Sequence, residues 1–336
     1  MEPYVEALER ELEFAASSFG FAALSTVYLG GGTPSLLPPH LLSRALGKAW
    51  SLFELTTEAE VTLEANPAST DPGRLTAWRE AGVNRLSLGV QGFDPRALAV
   101  LERRSDGAQA TRAVRQARAE GFRNLSLDLI YGIPYQTLES WRQTLLRAID
   151  LGPEHISCYC LGFEEGTPLY LQLQEGKLPA VDADSQWEFL ELTEATLADA
   201  GFLRYEVSSW ARPGHESRHN RAYWRCRPVY GAGCGAHSYL PSEGGARRWW
   251  NVSRPADYIR SSRFLDGFED LDEDRAAAER VMLGLRSVEG VVVPPGFDEV
   301  LGRLESAGLI RLETGGRAVP TRRGLDLHSQ VAMAVL

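Results

Sequence analysis

The chain has 336 residues, which predicts one large α/β domain or one domain with a smaller companion. Hydrophobic residues make up 44% of the chain and charged residues 24%, and this ordinary globular composition excludes collagen, disorder and a small disulfide-stabilised fold. The net charge of −10 argues against a surface that binds polyanions along the whole chain, so nucleic acid is not an expected partner.

The first residues give no sign of export or membrane insertion. Met1 to Glu6 lack the basic and apolar stretches of a signal peptide, and prolines and glycines interrupt the uncharged segment 14–43 too often for a membrane-spanning helix. The cysteines are too few and too clustered for a disulfide framework: Cys158, Cys160, Cys226 and Cys234. We therefore expect a cytoplasmic protein without a transmembrane segment.

Short apolar runs alternate with amphipathic stretches over the first two thirds of the chain. The runs predict strands at 25–29, 61–65, 85–90, 125–131, 155–161 and 203–207. Between them, Asp71 and Pro72 mark the start of a helix that ends before Gly82. The same glycine stop recurs at Gly121 and Gly201. Repeated strand–helix units predict a parallel sheet, either open or closed into a barrel, and periodicity does not choose between the two.

The pattern changes after about Trp210, where Gly, Arg and aromatic residues become frequent, and again at about Asp270. Two helices at 275–285 and 297–307 then precede a hairpin at 309–313 and 317–320. The predicted domains are 1–212, 213–268 and 269–336. The last is similar to a winged-helix module, but its hairpin lacks a dense basic face, so we favour a packing or lid role over DNA binding.

Three glycines, Gly30 to Gly32, and then Thr33 follow the first predicted strand. Glycine permits positive φ and a close approach of the backbone, so the N–H groups of this loop can meet an anion or a carboxylate. The spacing matches neither the dinucleotide-binding fingerprint nor the P-loop. A ligand site is favoured over a simple turn.

Polar side chains recur at or near the carboxyl ends of the next predicted strands. Glu64 ends the second strand, Gln91 ends the third, and Asp128 lies in the fourth. In barrels and open parallel sheets, that end of the strands is the active face. One such residue alone is typical of a helix cap or a solvated loop, but the three together with the glycines predict a shared pocket.

A histidine and several aromatic residues come together beyond the sheet, in His219, Asn220, Arg221, Ala222, Tyr223 and Trp224. Such a segment suits an axial ligand to haem iron with aromatic cover for the macrocycle. Nearby arginines are candidates for pairing with the propionates: Arg218, Arg221, Arg225 and Arg227. The alternative is a packed surface loop.

The cysteines show no recognised metal-binding spacing. Cys158 and Cys160 are two residues apart on one predicted strand and so face the same side, but a zinc or iron–sulfur site needs three or four converging ligands. We predict that they are small buried hydrophobic residues.

Six motifs in this order, taken together, resemble one family, the radical S-adenosylmethionine (SAM) haem chaperones, also known as oxygen-independent coproporphyrinogen III oxidase-like proteins. The motifs lie at 27–35, 64–67, 87–93, 127–134, 219–224 and 235–238. The resemblance implies an α/β fold: a partial (β/α)6 barrel, here without its first strand, followed by a small C-terminal helical domain similar to a winged helix.

The resemblance also implies roles for individual residues. Gly31, Gly32 and Thr33 would contact the methionyl end of SAM. Further SAM contacts would come from Glu64, Gln91, Arg103 and Asp128, with Gly162 as an additional contact. His219 would be the haem-binding histidine of the family's HNxxYW motif. No catalytic residue is assigned.

The chain departs from the family pattern at two places. The family's first strand carries a Cys-x3-Cys-x2-Cys loop whose thiolates hold a [4Fe–4S] cluster, and this sequence has no such loop. The family's histidine two residues after Arg103 is Ser105 here. Without the cluster, the chain as written is not expected to generate a radical from SAM.

Three explanations compete for the missing loop. They are a start placed too far downstream, true loss in a degenerate relative, and cluster ligation by the four distant cysteines. We favour a start placed too far downstream. Loss of the first barrel strand would expose the edge of the strand at 26–29, and natural sequences normally cover or charge such an edge.

The expected function is that of a haem chaperone which binds haem and delivers it to an unidentified acceptor protein. SAM is an expected cofactor, as is a [4Fe–4S] cluster in a full-length form. Two alternatives remain open: an oxygen-independent coproporphyrinogen III oxidase in porphyrin biosynthesis, and a clusterless protein that only binds haem.

Overall fold

A computed structural model describes residues 1–21, 23–102 and 107–336. The helices, numbered in chain order, are α1 (Glu2–Ser18), α2 (Pro39–Leu52), α3 (Pro72–Glu80), α4 (Pro95–Val100), α5 (Gly107–Ala119), α6 (Leu138–Asp150), α7 (Pro168–Gln174), α8 (Ala183–Asp199), α9 (Arg218–Trp224), α10 (Pro255–Arg260), α11 (Glu273–Gly284), α12 (Asp298–Ser306), α13 (Arg322–Asp326) and α14 (His328–Val335). Over these described residues, none of the helices is long and apolar enough to cross a membrane.

The strands are β1 (Leu24–Leu29), β2 (Leu55–Ala65), β3 (Arg85–Gln91), β4 (Asn124–Tyr131), β5 (His155–Cys160), β6 (Leu203–Glu206), β7 (Ser209–Ala211), β8 (His237–Ser242), β9 (Gly245–Asn251), β10 (Leu265–Asp272), β11 (Val291–Val292), β12 (Ile310–Glu313) and β13 (Arg317–Pro320). The main sheet contains seven of them in the order β1-β2-β3-β4-β5-β7-β6. Strands β1 to β5 are parallel, each paired with the next, and the sheet curls into part of a barrel. The predicted α/β class and incomplete barrel are confirmed.

Alternation along the strands separates an apolar outer face from a polar inner face. Leu86 and Leu88 of β3 and Leu125 and Leu127 of β4 are fully buried against the helices that cover the outside of the sheet. Burying one such side chain contributes about 1.5–3 kcal/mol. The residues between them along each strand point the other way, so the inside of the curled sheet is polar.

The predicted start and end signals of a helix are present at α3. The Asp71 carboxylate accepts the backbone N–H of Arg74 at 3.0 Å, and Pro72 is the first helical residue. The helix ends at Glu80, and Gly82 has a φ of +102°, which a residue with a side chain rarely adopts. These local signals place the end of α3 directly before β3.

The structure differs from the sequence prediction at the sixth strand. Strand β7 lies between β5 and β6 and is antiparallel to both, so the predicted strand at 203–207 is not the next parallel neighbour of β5. The chain turns back after Glu206, whose carboxylate accepts the backbone N–H of Ser208 at 3.1 Å. Trp210 then anchors β7 in the core. A strand of three residues carries too little periodic signal to be predicted.

Two smaller antiparallel sheets follow, in the orders β10-β9-β8 and β11-β13-β12. The second packs with α11, α12 and α14 around its own apolar cluster, which includes Val281, Leu301, Ile310 and Val331. The helices and hairpin predicted at the C-terminus are all found there. The domain boundaries 1–212, 213–268 and 269–336 stay our proposal.

Glu11 joins α1 to the segment that follows the main sheet. Its side chain is fully buried. The carboxylate accepts hydrogen bonds from the Gly233 N–H at 2.8 Å, the Asn251 amide at 2.6 Å and the hydroxyls of Tyr258 and Tyr230. Burial raises the pKa of Glu11, and these donors oppose the rise. The first helix is thereby fixed to residues more than 200 positions away in the sequence.

Replacing Glu11 with alanine is expected to lower the free energy of unfolding by about 3 kcal/mol, because buried donors that lose their acceptor cost about 1–3 kcal/mol each. Urea denaturation measures the loss. Glu13→Ala on the same helix is the control, since Glu13 pairs with Lys48 near the surface and an exposed ion pair contributes less than about 1 kcal/mol. Equal small losses in the two variants would contradict the role given to Glu11.

Candidate cofactor-binding site

A cavity of about 290 Å³ lies inside the curled sheet. Five of the predicted site residues line it: Gly32, Thr33, Glu64, Gln91 and Asp128. The other lining residues are Tyr28, Ala65, Asn66, Arg85, Ser87, Gly89, Ser126, His155, Ser157, Tyr159 and Asn220. Most of the lining comes from inward-facing positions of β1 to β5, so the shared pocket predicted from the strand ends exists.

Strand register explains why these side chains meet. Glu64 is paired with Ser87, Gly89 with Asp128, and Asp128 with Ser157 across neighbouring strands. Paired residues of a parallel sheet lie at the same height and on the same face. The side chains therefore form a polar band across the inner wall.

The Glu64 carboxylate is held in place by two donors. The Tyr28 hydroxyl donates to it at 2.6 Å, and the Gly31 N–H also donates to it. Burial raises the pKa of Glu64, and both hydrogen bonds oppose the rise. Gly30 leaves room for this arrangement, because a Cβ there would lie 2.5 Å from the Tyr28 ring and 2.8 Å from the Glu64 carboxyl.

Asp128 is surrounded by serine hydroxyls. Ser87 donates to its two carboxylate oxygens at 2.9 and 3.2 Å, Ser126 donates at 3.4 Å, and Ser157 donates as well. Burial raises the pKa of Asp128, while the hydroxyl donors and the nearby Arg85 charge act in the opposite direction. The acid is thus satisfied mainly by neutral partners.

Gln91 adopts a backbone conformation that is unusual for a residue with a side chain. Its φ is +66°, and the pairing of β3 with β4 slips between Gly89 and Gln91. The Gln91 amide folds over Gly89, where a Cβ would lie 3.1 Å from its nitrogen. Strained residues and bulges of this kind are concentrated at functional sites, where they aim a side chain.

Arg85, Ser126 and His155 form what we call the cavity floor, near the amino ends of β3, β4 and β5. His155 is 1% exposed, and its two ring nitrogens lie 2.8 Å from the Ser126 hydroxyl and 2.9 Å from the Tyr205 hydroxyl. Burial and then the Arg85 charge lower the pKa of His155 well below 6.5. The imidazole is therefore neutral at physiological pH.

Helix α9 places the predicted haem-binding histidine against β1. The Nδ1 atom of His219 lies 2.9 Å from the Thr26 hydroxyl, and its ring stacks on Tyr28 with centroids 4.9 Å apart. Tyr223 meets the imidazole edge-on at 5.0 Å. Burial lowers the pKa of His219 to about 4, with a smaller contribution from Arg85, so this imidazole is also neutral at pH 7.

The remaining predicted residues are placed as follows. Gly31 has a φ of +82° and acts through its N–H on Glu64, and Gly162 is exposed after β5, away from the cavity lining. Arg103 lies outside the described residues. Of the arginines proposed for propionates, Arg221 and Arg225 already pair with Glu289.

Sequence reasoning missed part of the cavity wall, namely Tyr28, Arg85, Ser87, Ser126, His155 and Ser157. The sequence signal for these cavity residues is the polar residue at every second position of the predicted strands. It was weak because a serine or an arginine at a strand position is equally typical of a solvated face.

The cysteines do not fit an iron–sulfur cluster. Over the described residues, no three or more His, Cys, Asp or Glu side chains are grouped to hold a metal ion. Cys158 and Cys226 are buried as predicted, but Cys160 is exposed, since β5 ends there and its last residues leave the core. Burial raises the pKa of Cys226 to about 11, so the thiol stays protonated at neutral pH.

Comparison with known proteins gives both sequence relatives and a structural neighbour. Residues 2–148 match the radical SAM superfamily. "Heme chaperone HemW" of Mycobacterium tuberculosis is 40% identical over 344 residues, which cover 98% of this chain and 85% of that protein. "Heme chaperone HemW" of Escherichia coli is 34% identical over 291 residues, which cover 86% and 75%.

The structural neighbour is the coproporphyrinogen III oxidase HemN of Escherichia coli, described as a radical SAM enzyme. It superposes with a TM-score of 0.83 at 24% identity, over 99% of this chain and 82% of that one. At this level of identity the likeness shows a shared fold.

The neutral state of buried His155 predicts a pH dependence of stability. Folding lowers the pKa of His155 well below its unfolded value of 6.5, so as the pH falls the unfolded chain binds a proton at this histidine before the folded chain does. The contribution of neutral His155 to the free energy of unfolding is therefore fully present above pH 6.5 and is lost as the pH falls below that value. Between about pH 7.5 and 5.5, the free energy of unfolding should fall by roughly 1 kcal/mol more in the wild type than in His155→Gln.

Urea denaturation of both proteins at the two pH values tests this expectation. The buried carboxylates have raised pKa values and contribute with the opposite sign, but they are present in both proteins and largely cancel in the difference. The same loss of stability in both proteins would show that His155 is not held neutral.

Proposed function

The chain belongs to the HemW family of radical SAM haem chaperones, and on that basis we propose that it binds haem and passes it to an acceptor protein, with SAM held in the barrel cavity. The four cysteines are unpaired, which fits the reducing cytoplasm, where we place this activity.

The residues of the cavity fit SAM. Glu64, Gln91 and Asp128 offer two carboxylates and an amide to the amino group, the ribose and the cationic sulfonium of such a ligand. The loop at Gly31, Gly32 and Thr33 supplies space and backbone N–H groups at the same end of the sheet. The family resemblance implies two further SAM contacts, at Arg103, which lies outside the described residues, and at Gly162, which does not line this cavity. When bound, SAM supplies a sulfonium centre with an activated carbon–sulfur bond.

Haem is the cargo, and we propose that His219 ligates its iron. In the tautomer whose Nδ1–H donates to the Thr26 hydroxyl, the lone pair of the neutral imidazole is on Nε2, the atom proposed to ligate iron. Tyr223 and Trp224 belong to the same helix and offer aromatic surface for the macrocycle.

One set of contacts carries the proposal. His219 stacks on Tyr28, and the Tyr28 hydroxyl donates to Glu64 in the cavity wall. The proposed haem ligand and the proposed SAM site therefore share one aromatic side chain on β1. Two separate motifs of the sequence meet there, which supports a function that uses both ligands.

The SAM site can be tested at Gly30. In Gly30→Ala, the new methyl group would collide with Tyr28 and Glu64, so we expect SAM affinity to fall at least roughly tenfold, equivalent to about 1.4 kcal/mol. Equilibrium dialysis with labelled SAM measures the affinity. Gly47→Ala on α2, where a Cβ meets nothing within 4 Å, is the matched control and should bind like the wild type. Unchanged affinity in a folded Gly30→Ala protein would remove SAM from this cavity.

The haem site can be tested by titration of haem into the wild type and His219→Ala. We expect the substitution to shift the Soret band and to weaken haem affinity at least roughly tenfold. Thr26→Val keeps the imidazole but removes its hydrogen-bond partner, so it should give a smaller effect in the same direction.

The control for haem binding is His237→Ala, which removes an exposed imidazole that stacks on Trp250. It should leave both spectrum and affinity unchanged. If His219 serves only to fasten α9 to β1, His219→Ala will lower the thermal midpoint and leave the haem spectrum as it was. In that case His215 and His237 become the next ligands to test.

A further inference from the structure

Arg85 places a buried positive charge on the cavity floor without a hydrogen-bond or ion-pair partner among the described residues. The residue is 2% exposed and lines the cavity. Over the described residues its guanidinium makes no hydrogen bond and no ion pair within 4.0 Å, and its Nε atom is fully enclosed. A buried guanidinium is always protonated and is normally matched by an anion.

The neighbouring groups do not supply that anion. Asp128 directs its carboxylate to Ser87, Ser126 and Ser157, and His155 is a neutral ring held by two hydroxyls. The charges of Asp128 and Arg85 attract each other without contact, so among the described residues the Arg85 guanidinium still lacks a directly bonded anion. Its planar array of N–H donors matches the two oxygens of a carboxylate.

We propose that Arg85 is the base of a carboxylate-binding subsite in the barrel cavity, and that a ligand held there extends a carboxylate to the floor. A monoanionic carboxylate suits the site better than a phosphate, because Glu64 and Asp128 in the same cavity would repel a second negative charge. The two ligands under Proposed function both carry this group, SAM at its α-carbon and haem on its propionates. The subsite itself rests on Arg85 alone.

The first test uses propionate and its neutral isostere propionamide. We expect propionate to raise the thermal midpoint of the wild-type protein in a concentration-dependent way, and propionamide to have no such effect. Arg85→Met should lose the response and Arg85→Lys should keep part of it. Arg118→Met is the matched control, because Arg118 pairs with Glu154 on the outside of the barrel and its loss should leave the propionate response intact.

A structural role for Arg85 gives a different result. If the guanidinium only supports the fold, Arg85→Met will lower the thermal midpoint of the ligand-free protein. On our proposal the midpoint of ligand-free Arg85→Met equals or exceeds that of the wild type, because the substitution removes an unpaired buried cation. A lowered midpoint with an intact propionate response, an equal response to propionamide, or stronger stabilisation by inorganic phosphate would each overturn the proposal.

The source of the carboxylate is decided by two pairs of ligands. Decarboxylated SAM is compared with SAM, and haem dimethyl ester with haem, in the wild type and in Arg85→Met. The pair whose affinities differ at least tenfold in the wild type and converge in Arg85→Met identifies the ligand that reaches the floor. If neither pair behaves in this way, no carboxylate of these ligands binds Arg85. Failure of His219 to bind haem would leave the propionate result standing, so the two proposals fail separately.

Discussion

The barrel cavity depends on one geometric constraint, the alternation of side chains along a β-strand. Leu127 and Asp128 are adjacent in β4, yet Leu127 packs in the apolar core and Asp128 faces the cavity. Each strand thus supplies the core and the site at the same time. A slip of one residue in register would place carboxylates in the core and leucines in the cavity, so the packing of the outer face also fixes the chemistry of the inner one.

Burial of polar groups on the inner face of the sheet lowers the free energy of unfolding, and apolar packing on the outer face offsets this loss. Burial raises the pKa values of Glu64 and Asp128. The Tyr28 hydroxyl and the Gly31 N–H oppose the rise at Glu64, and serine hydroxyls together with the nearby Arg85 charge oppose it at Asp128. Arg85 accepts no such help: over the described residues its guanidinium makes no hydrogen bond and no ion pair. Buried groups with displaced pKa values and unpaired charges in a cavity are typical of ligand sites, because the ligand completes interactions that the protein leaves open.

Strand β1 is an edge of the main sheet, and α9 packs against it. The backbone N–H groups of Arg218 and His219 donate to Glu60, and His219 contacts Thr26 and Tyr28. This helix carries the histidine proposed to bind haem, so its contacts with β1 and β2 bring the two proposed ligand sites together.

The sequence by itself determined the parallel strands β1 to β5, the ends of helices such as α3, and the polar residues at the strand ends. Those features depend on local signals: periodicity, caps such as Asp71, and the position of Glu64 after an apolar run. Only the tertiary structure decided which residues face one another. His219 meets Thr26 across 193 positions, β7 enters between β5 and β6, and Arg85 lies on the cavity floor with no bonded partner in the described part of the chain. Local periodicity predicts on which face of a strand a side chain lies, whereas the curvature and register of the sheet decide which residues lie opposite that face.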